Sequence, residues 1–441
     1  MATRHLHFEN FMPFCRETLE CVNFILPWTQ TLDYNNTCLF EILLRHNKIG
    51  MIRLLLENNM DPNQCFRRVY FWYETDFGIH RNVLGSLYLC MATAQGKLDV
   101  VKLLLRNGAT CGSDYNNDEI VPSVHDDDDD RKTTALMLSC LDKKYAGNNG
   151  HIEIFNLLLA QENNNYSIQN AFRNAVMCGY TEFVKSILSI PKYKDLMLKE
   201  DDIVHNAADN GFAHIVKILL ECGFPVKDVR ETQTILHTII ESETQEHHDH
   251  GIGYAVVDKS NKIATARVIL QWLARYGDRL TIETTDKYGE KGTPFFYAVL
   301  TCVLQLPPYG SLKTYKDNVK MIKLLVEHHA DTDAKCIDNF SALKYILKFP
   351  YEMILVSVKN ILTTQLYKEM IEWLLTLGCS TDSIDAETLA GHTDDVKLLF
   401  RNHWNQLGSS FKHTLSMRTK KSRLPELSQE IQDQIVANLF L

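Results

Sequence analysis

The 441-residue sequence lacks the short motifs that identify several classes of enzyme and metal protein. It has no phosphate-binding loop of the form G-x-x-x-x-G-K-[ST], no zinc-binding H-E-x-x-H and no nucleophile elbow G-x-S-x-G. Its twelve cysteines are scattered singly, with no C-x-x-C pair, whereas zinc ribbons and disulfide frameworks need clustered cysteines. We therefore expect free thiols, a reducing compartment, and no metal or other cofactor.

The sequence also lacks a long apolar run and an excess of basic residues. No stretch approaches 18 consecutive apolar residues, and the first residues have no apolar core of a secretory signal, so we expect neither membrane insertion nor Sec export. The 46 Lys and Arg against 55 Asp and Glu give a net charge of -9. Because no basic excess is available to displace counterions, nucleic acid is not an expected partner.

The sequence does contain a short amphipathic segment that occurs in nine copies. Apolar residues stand three or four apart in each copy, as at Ile49, Ile52 and Leu56, which predicts a helix with one apolar face. The copies begin at Lys48, Gly96, Gly150, Gly179, Gly211, Ala264, Asn318, Tyr367 and Gly391.

A second short helix, rich in small residues, is predicted ahead of several copies. These helices start near Thr134, Ala171, Val204, Thr234 and Thr293. After the amphipathic helix, steps such as Asn107-Gly108, Cys222-Gly223, Tyr276-Gly277 and Leu377-Gly378 predict a helix stop, because Gly tolerates the left-handed conformation. The unit is therefore a pair of antiparallel helices.

This two-helix unit resembles the ankyrin repeat, which has roughly 33 residues. Pieces of the family's Thr-Pro-Leu-His motif are present at Thr134-Ala-Leu, Thr234-Ile-Leu-His237 and Gly292-Thr-Pro-Phe295. The resemblance implies that the Thr caps the first helix and that the His bonds across repeats. It also implies an all-α solenoid: a cap over 1–34, about eight or nine units over 35–406, and a C-terminal segment over 407–441.

Some repeats are longer than the family's unit, and the extra residues are predicted to form insertions between or within the units at 65–82, 114–131, 241–262 and 304–315. The packed helices cannot lengthen without losing contact with the neighbouring repeats. The first insertion contains Tyr70, Trp72 and Tyr73, which are candidate anchors on a concave binding surface. His80 lies in the same segment. An alternative is that a catalytic Cys and His, as in a cysteine protease, lie within these insertions.

Two polar runs could suggest metal sites, but their spacing favours solvated loops. The run Glu246-His-His-Asp-His250 holds three histidines too close together to reach one tetrahedral ion without a bent loop. The five aspartates 126–130 lack the alternation and the turn-making Gly of a calcium loop. No metal ligand is assigned in either run.

The C-terminal segment combines a basic linker over 412–423 with an amphipathic pattern. The pattern resembles the first helix of an F-box, which docks on the Skp1 adaptor of a cullin ubiquitin ligase; poxviral ankyrin proteins end in such a truncated F-box. The residues that carry it are Leu424, Pro425, Leu427, Ile431, Ile435 and Leu439. The segment equally resembles the C-terminal translocation signals of type IV-secreted bacterial ankyrin effectors, and a helix that covers the last repeat is the third interpretation.

Together these features predict a protein-protein interaction scaffold or adaptor. A solenoid presents an extended surface that suits protein partners better than small substrates. The resemblance implies a pathogen effector, viral or bacterial, that acts on host proteins in the host cytoplasm; under the F-box interpretation of the tail, it recruits a cullin ubiquitin ligase.

Overall fold

The structure is a computed structural model. It describes residues 17–29, 38–63, 82–83, 87–111, 132–140, 149–200, 202–226, 234–241, 262–276, 292–304, 306, 312–334, 339–348, 361–381, 384, 388–389 and 392–422.

The described backbone is all-α, as predicted. Extended backbone pairs in one place among the described residues, where β1 (Asn82–Val83) runs parallel to β2 (Lys132–Thr133). The first helices along the chain are α1 (Leu19–Ile25), α2 (Leu39–Arg45), α3 (Ile49–Glu57), α4 (Leu87–Ala94), α5 (Leu98–Arg106), α6 (Ala135–Ser139), α7 (Asn149–Leu159), α8 (Asn165–Met177), α9 (Thr181–Leu188) and α10 (Pro191–Met197). They are followed by α11 (Ile203–Asp209), α12 (Ala213–Glu221), α13 (Ile235–Glu241), α14 (Lys262–Tyr276), α15 (Pro294–Leu304), α16 (Leu312–Glu327), α17 (Ala342–Lys348), α18 (Ile361–Thr376) and α19 (Asp394–Ser422).

The chain divides into two compact units: unit 1 holds residues 1–226 and 245–265, and unit 2 holds 227–244 and 266–441. In unit 1 the helices form two rows. The first helix of each pair contacts the first helix of the next, in the order α2, α4, α6, α8, α11. The second helices likewise contact one another in the order α3, α5, α7, α9, α12. The apolar core therefore runs between the rows, for example at Phe155 and Phe183, whose ring centroids are 4.7 Å apart.

Unit 2 repeats this arrangement. Its first helices α13, α15 and α17 contact one another in that order, and α15 pairs with α16. Along the second row, the Tyr315 hydroxyl of α16 donates to the Leu366 carbonyl of α18 at 3.3 Å. Helix α18 then packs on α19.

The same left-handed turn ends many of these helices. In the turn after α4, Gly96 N–H donates to the Thr93 carbonyl and Lys97 N–H to the Ala92 carbonyl, both at 2.9 Å, while Gly96 has a φ of 64°. This is the Schellman pattern of helix termination. It recurs at Asn47, Gly179 and Gly211 within the pairs, and at Asn59, Gly108, Gly223, His329 and Gly378 after them. The predicted stops at Gly108, Gly223 and Gly378 are confirmed; Gly277 lies outside the described residues.

The capping threonines are also confirmed. Thr134 accepts a hydrogen bond from Met137 N–H, and Thr293 from Phe296 N–H, each at 3.3 Å. Thr234 accepts from His237 N–H at 3.4 Å. The His237 ring then donates from Nε2 to the Gly292 carbonyl at 2.9 Å, because a carbonyl can only accept. This bond joins α13 to the start of α15, as expected of the cross-repeat histidine.

A second type of cross-link joins the turns that follow second helices. After α3, the Asn63 side chain accepts from Thr110 N–H and donates to the Gly108 carbonyl, both at 2.8 Å. After α16, the Asp333 carboxylate accepts from Ser380 N–H at 2.6 Å. Each bond spans consecutive second-helix turns, so it fixes the spacing of neighbouring pairs.

The structure differs from the sequence interpretation in three places. Helix α10 was not predicted; its buried Tyr193 and Met197 pack it on α8 and α9. Helix α16 begins at Leu312, inside the segment interpreted as an insertion. Helix α19 continues through Gln406 to Ser422, so helical backbone occupies most of the segment interpreted as a basic linker.

We predict that Gly179→Ala destabilises unit 1 more than Gly223→Ala does. Both glycines have positive φ, which costs an alanine about 1 kcal/mol. A Cβ at Gly179 would also lie 2.8 Å from Phe212 Cε1, whereas a Cβ at Gly223 meets nothing within 4 Å. We expect about 1–3 kcal/mol of additional loss at Gly179 from this overpacking.

Urea unfolding of the full chain and both variants measures the difference. If both variants lose the same free energy of unfolding, the contact with Phe212 adds nothing to the cost of placing an alanine at positive φ.

Candidate protein-binding surface

The site residues predicted from sequence all lie outside the described residues. This applies to the candidate anchors Tyr70, Trp72 and Tyr73 and to the C-terminal residues Leu424, Pro425, Leu427, Ile431, Ile435 and Leu439. It applies also to His80 and to the polar runs 126–130 and 246–250. The surface described below is therefore built from other side chains.

The first helices of unit 2 start with a hydroxyl cap in the same register. Thr234 caps α13 and Thr293 caps α15; Ser341 caps α17 by accepting from Lys344 N–H at 3.4 Å. Counting from the cap therefore gives equivalent positions on the three helices.

Each of these helices leaves one narrow stripe uncovered. In α15, Tyr297 and Leu300 are half-buried and Leu304 is 45% exposed, while the other side chains are buried. These residues are four, seven and eleven after the cap, and spacings of three and four place them on one side of a helix. The fourth and seventh positions are uncovered in α13 and α17 as well, and in α17 the third position, Lys344, is also half-buried. We call this set the first-helix face: Thr238, Glu241, Tyr297, Leu300, Leu304, Tyr345 and Lys348.

The three stripes lie side by side. The His237 ring of α13 is 5.7 Å from the Tyr297 ring of α15, and the Phe296 ring of α15 is 5.2 Å from the Tyr345 ring of α17. Both contacts join the third position of one helix to the fourth position of the next. The helices therefore run in the same direction, and their equivalent positions form a row.

These contacts make the two tyrosines suitable as binding anchors. Packing of one ring edge or face on a neighbouring ring restricts the side chain, so less conformational entropy is lost on binding. Tyrosine also presents an aromatic surface together with a hydroxyl that can donate or accept a hydrogen bond. Such residues supply much of the energy in protein interfaces.

Charge differs between the two edges of the face. On α17, Lys344 Nζ and Lys348 Nζ lie 4.9 Å and 4.8 Å from the centroid of the Phe340 ring. On α13, the seventh position is Glu241. The face is thus apolar and aromatic along α15, with a basic edge at α17 and an acidic residue at α13.

The corresponding helices of unit 1 expose different chemistry. The side chains of α4 are all buried. On α8, Arg173 Nε donates to Glu200 Oε2 at 2.7 Å and Gln169 Nε2 donates to Glu200 Oε1 at 2.9 Å. The polar groups of this surface therefore bond to one another.

Several described thiols are poor candidates for a nucleophile. A cysteine attacks as the thiolate, so a reactive site needs a lowered pKa. Burial instead raises the pKa of the Cys140 thiol, and it raises to about 12 the pKa of Cys38, Cys111, Cys302 and Cys379. These five residues have the character of core side chains, as expected for most cysteines here.

A buried carboxylate joins α6 to α8 in unit 1. Glu162 Oε1 accepts from Asn163 N–H at 3.1 Å and Asn164 N–H at 3.0 Å. Its Oε2 accepts from Ser167 Oγ at 2.9 Å, and Ser167 Oγ is 2.6 Å from Thr134 Oγ1. Burial raises the pKa of Glu162, and these hydrogen bonds oppose the rise. Glu162 therefore has the features of a structural residue that links neighbouring helix pairs.

Metal and membrane features are absent from the described ranges. In those ranges, no group of three or more His, Cys, Asp or Glu side chains is arranged to hold a metal ion. No helix there combines the length and apolar character needed to span a bilayer. Comparison with known protein families and a search of curated proteins found no match to this chain.

We predict that Glu162→Gln changes how stability depends on pH. The folded pKa of Glu162 lies above its ordinary value of 4.5, so between the two values the folded chain binds more protons than the unfolded chain. The free energy of unfolding therefore decreases as pH rises through that window. Glutamine keeps the acceptor for the two backbone N–H groups and can donate to Ser167, without ionising.

Urea unfolding of both proteins from pH 4.5 upward gives the test, since other titrating groups contribute equally to each. We expect the stability of Glu162→Gln relative to the original chain to increase with pH. A difference that stays constant or decreases with pH would contradict the assignment.

Proposed function

We propose that this protein is an ankyrin-repeat scaffold or adaptor that binds other proteins through the first-helix face. Four features support the ankyrin assignment: paired helices in two rows, hydroxyl caps on first helices, left-handed turns at helix ends, and the bond from His237 to the Gly292 carbonyl. Each helix pair covers the apolar sides of its neighbours in the row, so the surface left over on the pairs can meet a partner.

The observation that carries the binding proposal is the row of equivalent uncovered positions on α13, α15 and α17. An ordinary surface would carry charged side chains at such positions, since these are the residues that stay exposed at least cost. Here they include Tyr297, Leu300, Leu304 and Tyr345. Aromatic and aliphatic residues in a contiguous patch are typical of an interaction site.

We further propose that the protein is a pathogen effector acting on host proteins in the host cytoplasm. The basis is the F-box-like pattern of Leu424, Pro425 and Leu427 with Ile431, Ile435 and Leu439. An F-box function would place the Skp1 adaptor on the C-terminal segment and the target protein on the helix face. The arrangement would then bring a cullin ligase to a captured host protein.

The enzyme alternative receives less support. The sequence interpretation places its catalytic pair in the inserted segments, and burial raises the pKa of five described thiols outside those segments. A non-enzymatic binding role requires no such group.

We predict that Tyr297→Ala combined with Tyr345→Ala removes most partner binding. Loss of two central aromatic anchors is expected to weaken binding by at least about 30-fold, the effect of a hot-spot residue. Affinity purification of the full chain from host cells, with quantitative mass spectrometry, measures the recovery of each partner.

Tyr166→Ala is the matched control, because Tyr166 is a 46%-exposed tyrosine on a first helix of unit 1. Unchanged recovery with the double variant, or equal loss with the control, would rule out the first-helix face as the site.

We predict that Leu427→Asp combined with Ile431→Asp abolishes Skp1 recovery, as does deletion of residues 424–441. The substituted residues are apolar positions of the F-box-like pattern, where a charge would oppose docking. Pull-down with purified Skp1 measures the effect. Ser428→Asp with Gln432→Asp carries the same charges at polar positions and should bind normally.

If Skp1 recovery is the same with and without residues 424–441, the adaptor proposal fails. The segment would then have to act in secretion or in covering the last repeat.

A further inference from the structure

Four exposed lysines lie along the solvent side of α16 in unit 2. They are three, four and three residues apart, and these spacings place them on one side of a helix. At the rise of an α-helix, the set is about 15 Å long. We call it the lysine ridge: Lys313, Lys316, Lys320 and Lys323.

The charges of the lysine ridge are only partly compensated. Lys320 Nζ lies 2.7 Å from Asp317 Oδ1, and Lys323 Nζ lies 5.5 Å from the centroid of the Trp373 ring on α18. Among the residues that the structure describes, neither Lys313 nor Lys316 has an ion-pair partner. Because like charges three or four residues apart on a helix repel each other, the ridge carries a repulsion that an anion would relieve.

Second helices of unit 1 place carboxylates beside their lysines. Lys102 Nζ of α5 lies 3.9 Å from Glu153 Oε2 of α7, and Lys185 Nζ lies 2.8 Å from Glu182 Oε1 within α9. The ridge instead has four lysines and one bonded aspartate, in a chain whose net charge is -9. A charge-balanced, solvated helix surface is therefore a poor description of α16.

Carboxylates border the lysine ridge at one end and along one side. Glu327 stands four residues after Lys323, at the end of α16. The neighbouring α18, which contacts α16 through Trp373, exposes Glu369 and Glu372. A membrane surface or a nucleic-acid duplex would bring its negative charges against these carboxylates as well, whereas a narrow acidic segment can lie along α16 alone.

We propose that the lysine ridge binds an acidic α-helix of a partner protein. A helix with Glu at i, i+3, i+7 and i+10 presents its carboxylates on one side over the same length of about 15 Å, so it matches the ridge. Exposed ion pairs are individually weak and are screened by salt. The ridge therefore steers and orients the partner more than it tightens the complex.

This surface goes beyond the proposed function, because it is separate from the first-helix face. The face lies on the first helices and is largely apolar, whereas the ridge lies on a second helix and is basic. A partner could therefore use the ridge alone.

The test is zero-length cross-linking of the full chain with a carbodiimide, which joins a carboxylate to a lysine amine in contact with it. The probe is an alanine-rich helical peptide of about 18 residues with Glu at the four matching positions. We expect its cross-links to favour the lysine ridge at least about fivefold over Lys199 and Lys217, two exposed lysines of unit 1, and to decrease at about 0.5 M salt.

A second peptide of the same composition, with its four Glu spread around the helix, tests the spacing. It should cross-link to the ridge no more than to the two lysines of unit 1. Equal labelling of the ridge by both peptides, or labelling of all exposed lysines alike, would overturn the inference.

Charge reversal at the two unpaired lysines tests the ridge itself. Lys313→Glu with Lys316→Glu should reduce cross-linking at the two remaining ridge lysines at least about fivefold. The matched control, Lys199→Glu with Lys217→Glu, changes the net charge equally and should leave that cross-linking unchanged. Circular dichroism establishes that each variant is folded, and an equal loss in the control would assign the effect to overall charge and contradict the proposal.

Two further outcomes would also contradict it. Displacement of the matched peptide by single-stranded DNA or by phosphatidylserine vesicles would assign the ridge to nucleic acid or to lipid. Loss of cross-linking in Tyr297→Ala with Tyr345→Ala would show that the ridge is not a separate surface. Unchanged cross-linking in that variant is the expected result, whatever becomes of the first-helix face.

Discussion

Mutual burial of apolar helix sides is the constraint on which the structure depends. Most of these helices have seven to sixteen residues, a length at which an isolated helix is marginal in water. Each gains its stability only when the next pair covers its apolar side, as Phe183 covers Phe155. Because coverage comes from neighbours along a row, the surface left over within each unit is the side of its helices that faces no neighbour, and this is where function can reside.

Local chemistry explains why much of the fold could be predicted from sequence. Caps at Thr134, Thr234 and Thr293 and stops at Gly108 and Gly223 depend on residues a few positions away, so the sequence contains the whole signal. Helix α10 had such a signal too, since Pro191 stands at its first position and its buried residues are four apart. The repeat pattern does not predict it, because the segment has no counterpart in the other helix pairs.

The candidate site could not be predicted in the same way. Tyr297 and Tyr345 become anchors through rings on adjacent helices, His237 and Phe296, which are 60 and 49 positions away in sequence. The sequence feature that the two tyrosines share is their position, four residues after a hydroxyl residue that caps a first helix. The equivalent region of unit 1 has the same arrangement of paired helices, but there Gln169 and Arg173 are hydrogen-bonded to Glu200. The helix arrangement alone therefore does not identify a binding surface.

The side-chain bonds at Asn63 and Asp333 have a mechanical consequence. Each bond joins the turns that follow two consecutive second helices. Tension applied along a row of helix pairs would therefore act on such bonds one after another. At Asn63, three bonds to Gly108 and Thr110 must break together. Stretching would therefore be resisted in discrete steps. The number of hydrogen bonds between consecutive turns would set the order in which the helix pairs separate.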